Sequence, residues 1–162
     1  MRNEKKKGFT LIELIATMAV VGILLSAVFS LFSSTNSILI SADTDNELQD
    51  ESRTIVRLIE DDIKFGTKIK LDEVEATPNL EGKKISFERE NEEFYYKVKD
   101  ATKEFQKVKI GSTGEAVLST ISKNVEEFKV RYLDSGVYEI SLKLSKNKSI
   151  YDYKSSVFPM NS

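Results

Sequence analysis

The sequence predicts an α+β fold in which one long N-terminal helix packs on a C-terminal antiparallel β-sheet domain. No charged residue occurs from Leu14 to Ala42, and apolar residues then recur at helical spacing from Asn46 to Phe65. From Ile85 onward apolar and charged residues alternate with a period of two, which is typical of strands with one buried face. With 162 residues, the chain has room for one globular domain beyond its apolar segment.

The first predicted element is a membrane-spanning helix. Its most apolar part, Leu14 to Phe32, would rise about 28 Å as a helix, close to the ~30 Å thickness of the hydrocarbon layer. Four basic residues precede it: Arg2, Lys5, Lys6 and Lys7. The first charge after it is the acidic Asp43. Because basic flanks stay in the cytoplasm, the C-terminal domain is predicted to lie outside.

Two residues at the start of the span are poorly suited to a plain anchor. Glu13 lies just inside the apolar segment, where an isolated carboxylate costs roughly 2.5–3.5 kcal/mol on insertion scales. Gly8 separates the basic leader from the apolar start and would let a peptidase approach the backbone closely. The sequence therefore indicates a functional carboxylate beside a possible cleavage point.

Residues 6–14, KKGFTLIEL, closely resemble the processing and assembly signature of type IV pilins, pseudopilins and competence pilins. The resemblance implies that a membrane aspartyl prepilin peptidase cuts between Gly8 and Phe9, and that the new Phe9 amine is N-methylated. It also implies that Glu13 neutralises the N-terminal amine of an adjacent subunit during assembly. A pair within one subunit stays open, because Phe9 and Glu13 are one helical turn apart.

The same resemblance implies a domain organisation and a set of partners. The leader is 1–8, the transmembrane and assembly helix 9–42, its amphipathic continuation 43–66 and the β-rich pilin domain 67–162. The implied partners are prepilin peptidase, other pilin subunits through the N-terminal helix, an inner-membrane assembly platform and membrane lipid, with no cofactor and no identified surface ligand. The expected location is the cell membrane, in a single pass with the C-terminus outside, and then an extracellular or periplasmic filament.

Ser30 stands where many major pilins carry a proline. Together with the strand-rich C-terminal half, this favours a minor or initiating pilin, of the W-type minor pilin or J-type pseudopilin kind. The sequence leaves open whether the system is a type IV pilus, a type II secretion pseudopilus or a competence pilus. It also leaves open whether the helix breaks near residues 30–37.

The amphipathic part of the helix is predicted to pack on the domain through one stripe of residues. The stripe comprises Leu48, Ser52, Ile55, Ile59 and Ile63, widened by Val56 and Leu58. Gly66 is predicted to end the helix as a C-cap. An acidic run from Asp43 to Glu47 does not form an EF-hand loop, because Leu48 and Thr54 occupy the positions that need glycine and glutamate.

The strands are predicted from alternating residues: Ile85 and Phe87; Phe94, Tyr96 and Val98; Val108 and Ile110; Phe128, Val130 and Tyr132; and Tyr138, Ile140, Leu142 and Leu144. Asp134 to Gly136 turns the clearest hairpin, and a last strand is expected near 150–157. Residues 116–121 suit either a strand or a helical turn.

Composition restricts the possible functions. The chain has no histidine and no cysteine, which removes Ser/His/Asp and Cys/His catalysis and zinc sites built on those ligands. The net charge of −2 gives no basic field for nucleic acid. We therefore expect a non-enzymatic filament subunit, and the alternative is a membrane-anchored extracellular binding or sensor domain that does not polymerise.

Overall fold

The computed structural model describes residues 10–160. Its single helix, α1, runs from Leu11 to Phe65 and continues through residues 30–37 without a break. The chain divides into two units, with the division between Ala42 and Asp43. The long helix and the antiparallel sheets confirm the predicted α+β class.

The first unit contains the apolar part of α1. Its large apolar side chains, from Leu11 to Ile40, are between 51 % and 77 % exposed. Hydroxyl groups in this stretch donate to helix carbonyls of the preceding turn, as Ser26 does to Ile23 at 2.7 Å and Thr35 does to Leu31 at 2.9 Å. Polar groups satisfied in this way are compatible with a lipid environment.

The second unit contains the rest of α1 and ten strands within the described residues. They are β1 Thr67–Leu71, β2 Val74–Glu75, β3 Glu81–Gly82, β4 Ile85–Arg89, β5 Glu92–Lys99, β6 Glu104–Gly111, β7 Gly114–Ser122, β8 Val125–Tyr132, β9 Tyr138–Lys146 and β10 Ser149–Val157. The six-stranded sheet has the order β2-β1-β4-β5-β6-β7, and the four-stranded sheet has the order β10-β9-β8-β3. All neighbouring strands in both sheets are antiparallel.

The core of the second unit joins α1 to both sheets. Four apolar residues of the predicted stripe are fully buried: Leu48, Ile55, Ile59 and Ile63. Against them lies a row of aromatic rings in which Tyr96 stacks on Phe105 at 5.5 Å between centroids, and Phe105 meets Phe128 edge-on at 5.0 Å. Because Phe128 belongs to β8, this row crosses from the six-stranded to the four-stranded sheet.

Several predicted elements are confirmed, and residues 116–121 form part of strand β7. The strands β1, β2 and β3 were not predicted. β2 and β3 have two residues each, too few to show a period. β1 contains a register irregularity between Thr67 and Lys70, which interrupts its alternation.

Two details of the prediction are wrong. Leu58 is 41 % exposed and lies outside the buried stripe. Val108 lies opposite Tyr95 in the β5–β6 pairing, while Lys107 lies opposite the core residue Tyr96. Because directly paired residues share a face, Lys107 faces the core, and Val108, which is buried as expected at 1 % exposed, lies on the other side of the sheet.

Gly66 ends the helix for a steric reason. Its φ does not lie in the left-handed region that a glycine C-cap adopts. A Cβ atom at this position would come within 2.5 Å of the backbone oxygen of Asp62 and 3.1 Å of the Cβ of Phe87. Glycine is required because the helix end and strand β4 approach each other closely.

Candidate processing and assembly site

The helix begins with Thr10, which has the geometry of an N-cap residue. Its carbonyl oxygen accepts hydrogen bonds from the backbone N–H groups of Glu13 and Leu14 at 3.1 and 3.2 Å. Threonine is a favoured residue at this position because its oxygen serves the free N–H groups of the first turn. The first helical residue is therefore Leu11.

Glu13 turns back toward Thr10. Its Oε2 accepts from both the backbone N–H and the hydroxyl of Thr10, each at 3.4 Å. The contact of the Glu13 carboxylate with the Thr10 N–H is one half of a capping box, whereas the Glu13 N–H donates to the Thr10 carbonyl and not to its hydroxyl. This contact was not predicted, although the T-x-x-E spacing is a signal for it, and it gives Glu13 a local structural role within its own chain.

The Glu13 carboxylate is nonetheless available to a stronger donor. The residue is exposed, and hydrogen bonds of 3.4 Å are beyond the usual range for N–H and O–H donors. Bonds to a cationic amine are roughly twice as strong as neutral ones. A positive charge arriving at the helix start would therefore displace the capping contacts easily.

The residues predicted for cleavage and orientation, Gly8, Phe9, Lys5, Lys6 and Lys7, lie outside the described residues. The helix itself starts at Leu11, so two residues separate it from the predicted cut. The pairing of the Glu13 carboxylate with an amine at Phe9 therefore stays a prediction.

A shallow groove runs along the helix beside Glu13. It is lined by Glu13, Ala16, Thr17, Val20 and Val21. The Thr17 hydroxyl donates to the helix carbonyls of Glu13 at 3.0 Å and Leu14 at 2.8 Å, so it adds little polarity to the groove. The only formal charge among these lining residues is the Glu13 carboxylate.

The helix α1 contains a stretch that is long and apolar enough to cross a membrane, judged by length and composition. None of the residues in this stretch is buried within the chain itself. Leaving so much apolar surface in water is unfavourable by about 25 cal/mol for each Å². This surface is suited to lipid, to other apolar helices, or to both.

A second polar cluster lies in the second unit, around Asp62. The side chain of Asp62 is 5 % exposed. Its Oδ2 accepts from the Tyr96 hydroxyl at 2.5 Å and from Lys107 Nζ at 2.6 Å, and its Oδ1 accepts from Arg89 Nη1 at 3.2 Å. Three strands of the six-stranded sheet are thus attached to one carboxylate of α1.

The surroundings of this cluster are aromatic. Lys107 Nζ lies 5.3–5.5 Å from the ring centroids of Phe87, Phe94 and Tyr96. Burial and the hydrogen bond to Asp62 raise the pKa of the Tyr96 hydroxyl far above its ordinary value. Among the described residues, no buried side-chain polar atom lacks a hydrogen-bond partner. The cluster therefore fixes the helix to the sheet.

Asp62 was not predicted as a core residue, although its position gives a signal. Leu48, Ile55 and Asp62 are each seven residues apart and fall on the same helix face. A carboxylate at a core position requires cationic partners. Whether Lys107 faces Asp62 depends on the register of β5 with β6. The sequence pattern did not specify this register.

Residues 4–29 match the family described as the prokaryotic N-terminal methylation motif. The match includes Gly8, Phe9 and Glu13 and covers the first part of the apolar helix. It supports a signal of the type IV pilin kind, which is processed by prepilin peptidase. No curated protein and no solved structure matches the chain.

Proposed function

We propose that this chain is a structural subunit of a type IV pilus or a type IV pilus-like filament, in a minor or initiating position. The single observation that carries the proposal is the match of residues 4–29 to the N-terminal methylation motif. The exposed apolar helix after this motif is what such a subunit needs, because it can be held first by lipid and then by neighbouring helices.

In this proposal the leader is removed between Gly8 and Phe9, and the Phe9 amine becomes methylated. The N-terminal amine of one subunit, at the membrane edge, then meets the Glu13 carboxylate of a neighbour. Pairing offsets the cost of holding a lone carboxylate in an apolar environment, roughly 2.5–3.5 kcal/mol on insertion scales. The Glu13 contact would thereby select the axial register between subunits.

The proposed role is structural and not catalytic. Among the described residues of the second unit, the one buried ionic side chain is Asp62, and it is engaged by Tyr96, Lys107 and Arg89. The sequence supplies no histidine or cysteine for nucleophilic or acid–base work. The second unit is then the part that the filament displays.

Glu13→Ala separates assembly from anchoring. Alanine removes the cost of inserting the carboxylate, so the variant should enter the membrane at least as well as the parent chain. It should nevertheless be depleted in sheared filaments, by about tenfold or more if a contact of about 1.4 kcal/mol or more is lost. The measurement is quantitative blotting of membranes and sheared filaments from the same cells.

Thr17→Ala is the matched control, because Thr17 lines the same groove and its hydroxyl bonds only to carbonyls of its own helix. It should leave incorporation unchanged. If Glu13→Ala entered filaments as well as Thr17→Ala, the proposed assembly role would be wrong. The chain would then fit better as a membrane-anchored binding or sensor domain.

A further inference from the structure

One turn of α1 carries three large apolar side chains just beyond the polar run 33–37. They belong to Ile38, Leu39 and Ile40 and are 67 %, 57 % and 58 % exposed. The first charged residue after them is Asp43. Leaving this turn in water is unfavourable by about 25 cal/mol for each Å² of apolar surface. The outer apolar turn, as we call residues 38–40, therefore requires a cover that the described residues do not provide.

The three side chains of the outer apolar turn point in different directions. Successive residues of an α-helix are about 100° apart around its axis, so residues 38–40 span about 200°. A single protein surface that lies against one face of α1 would leave at least one of the three side chains in water. Lipid surrounds an inserted helix on every side and can cover all three. The arrangement therefore favours lipid as the cover.

The position of the turn along α1 fits the surface of a bilayer. The hydrocarbon core is about 30 Å thick, and the headgroup layers add about 6 Å on each side. A helix tilted by about 20°, the average for membrane-spanning helices, needs about 38 Å, or about 25 residues, to cross the core and one headgroup layer. Counted from Leu14, where the uncharged stretch begins, this length ends at Leu39.

The polar run before the turn is compatible with a membrane that extends beyond it. The Thr35 hydroxyl donates to the Leu31 carbonyl at 2.9 Å, and the Ser37 hydroxyl donates to the Ser34 carbonyl at 2.8 Å. These two hydroxyls therefore do not require water. The Asn36 amide requires polar partners, and headgroups and water supply them near the edge of the hydrocarbon core.

We propose that the outer apolar turn is an interfacial membrane anchor. It lies at the boundary between headgroups and acyl chains, in the leaflet at the C-terminal end of the span. The membrane then ends between Ile40 and Asp43 and not at the polar run. This contact goes beyond the filament proposal. It requires only an inserted chain, so it stands whether or not the leader is cut.

A single tryptophan tests the depth of the turn, because the chain contains none. The full-length Leu39→Trp chain is purified uncut from cells that lack prepilin peptidase and reconstituted in vesicles of phosphatidylcholine and phosphatidylglycerol. Lipids brominated near the headgroup should quench its fluorescence more than lipids brominated near the ends of the acyl chains. Its emission should be shifted to the blue, and aqueous acrylamide should quench it weakly.

Two further positions of the same helix provide matched controls. Leu24→Trp lies near the middle of the apolar span and should be quenched most by the lipids brominated near the ends of the acyl chains. Asn46→Trp replaces an exposed residue beyond Asp43. It should be quenched strongly by acrylamide and by neither brominated lipid.

Three results would overturn the proposal. Acrylamide quenching of Leu39→Trp as strong as that of Asn46→Trp would place the turn in water. Blue-shifted emission without quenching by brominated lipids would mean that protein and not lipid covers the turn. A depth equal to that of Leu24→Trp would place it inside the hydrocarbon core. Because every chain measured is uncut, a failure here is distinguishable from a failure of the filament proposal.

Discussion

Replacing Asp62 with alanine removes the one carboxylate of α1 that three side chains of the six-stranded sheet share. Tyr96, Lys107 and Arg89 would lose their common acceptor. Because Lys107 also lies among aromatic rings, its charge would be left in a poorly solvated position. We therefore expect the second unit to be destabilised.

The expected size of the loss depends on the burial of each partner. Breaking a buried ion pair by removing one member costs about 3–5 kcal/mol. The remaining side chains of Lys107 and Arg89 are 24 % and 44 % exposed, so water screens them in part. This lowers the expectation to about 2–3 kcal/mol. For a unit of this size, the loss corresponds to a fall in Tm of about 6–12 °C.

Thermal unfolding of the full-length chain in detergent, monitored by near-ultraviolet circular dichroism, would measure this loss. All six tyrosines lie in the second unit, so the signal reports that unit and not the apolar part of the helix. Asp61→Ala is the matched control, because it removes the same charge from an exposed neighbour. Equal Tm values for Asp62→Ala and Asp61→Ala would refute the stabilising role assigned to the buried carboxylate.

Two further substitutions are read by unfolding experiments. Gly66→Ala should destabilise the second unit by about 1–3 kcal/mol, because the new Cβ would lie 2.5 Å from the backbone oxygen of Asp62. The control is Gly111→Ala, which should cost clearly less, because its Cβ would lie no closer than 3.5 Å to any atom outside its chain neighbours. Burial raises the pKa of Tyr138 to about 12. The folded chain then keeps a proton that the unfolded chain loses above about pH 10, so stability falls between about pH 10 and 12. In urea unfolding at these pH values, the free energy of unfolding should fall less steeply with pH for Tyr138→Phe than for the parent chain. An equal fall with pH in the two chains would contradict the effect assigned to burial of Tyr138.

The parts of the fold that were predicted from the sequence are those with a regular period. The stripe from Leu48 to Ile63 repeats at helical spacing and, apart from Leu58, is buried as predicted. The hairpin of β8 and β9 alternates from Phe128 to Tyr132 and from Tyr138 to Leu144 and pairs with Tyr132 opposite Tyr138, and its register shifts only between Val125 and Glu127. In both cases local spacing alone determines which face is buried.

The features that were not predicted depend on contacts between distant segments. Asp62 is buried because β4, β5 and β6 bring cations and a hydroxyl to it, and no local pattern shows that arrangement. Lys107 occupies a core-facing position for the same reason. At the N-terminal site, the order of residues indicated a carboxylate with a special role at Glu13. The contact of Glu13 with Thr10 was not predicted, although the T-x-x-E spacing is a signal for it, and it was identified in the structure.

The most direct test of the proposed filament role is the mass of the N-terminal peptide of the chain recovered from sheared filaments. A processed filament subunit should give a peptide that begins at Phe9 and carries one added methyl group, and that is absent from cells lacking prepilin peptidase. A chain in filaments that still begins with the basic leader, or that is cut elsewhere than between Gly8 and Phe9, would contradict the proposed role.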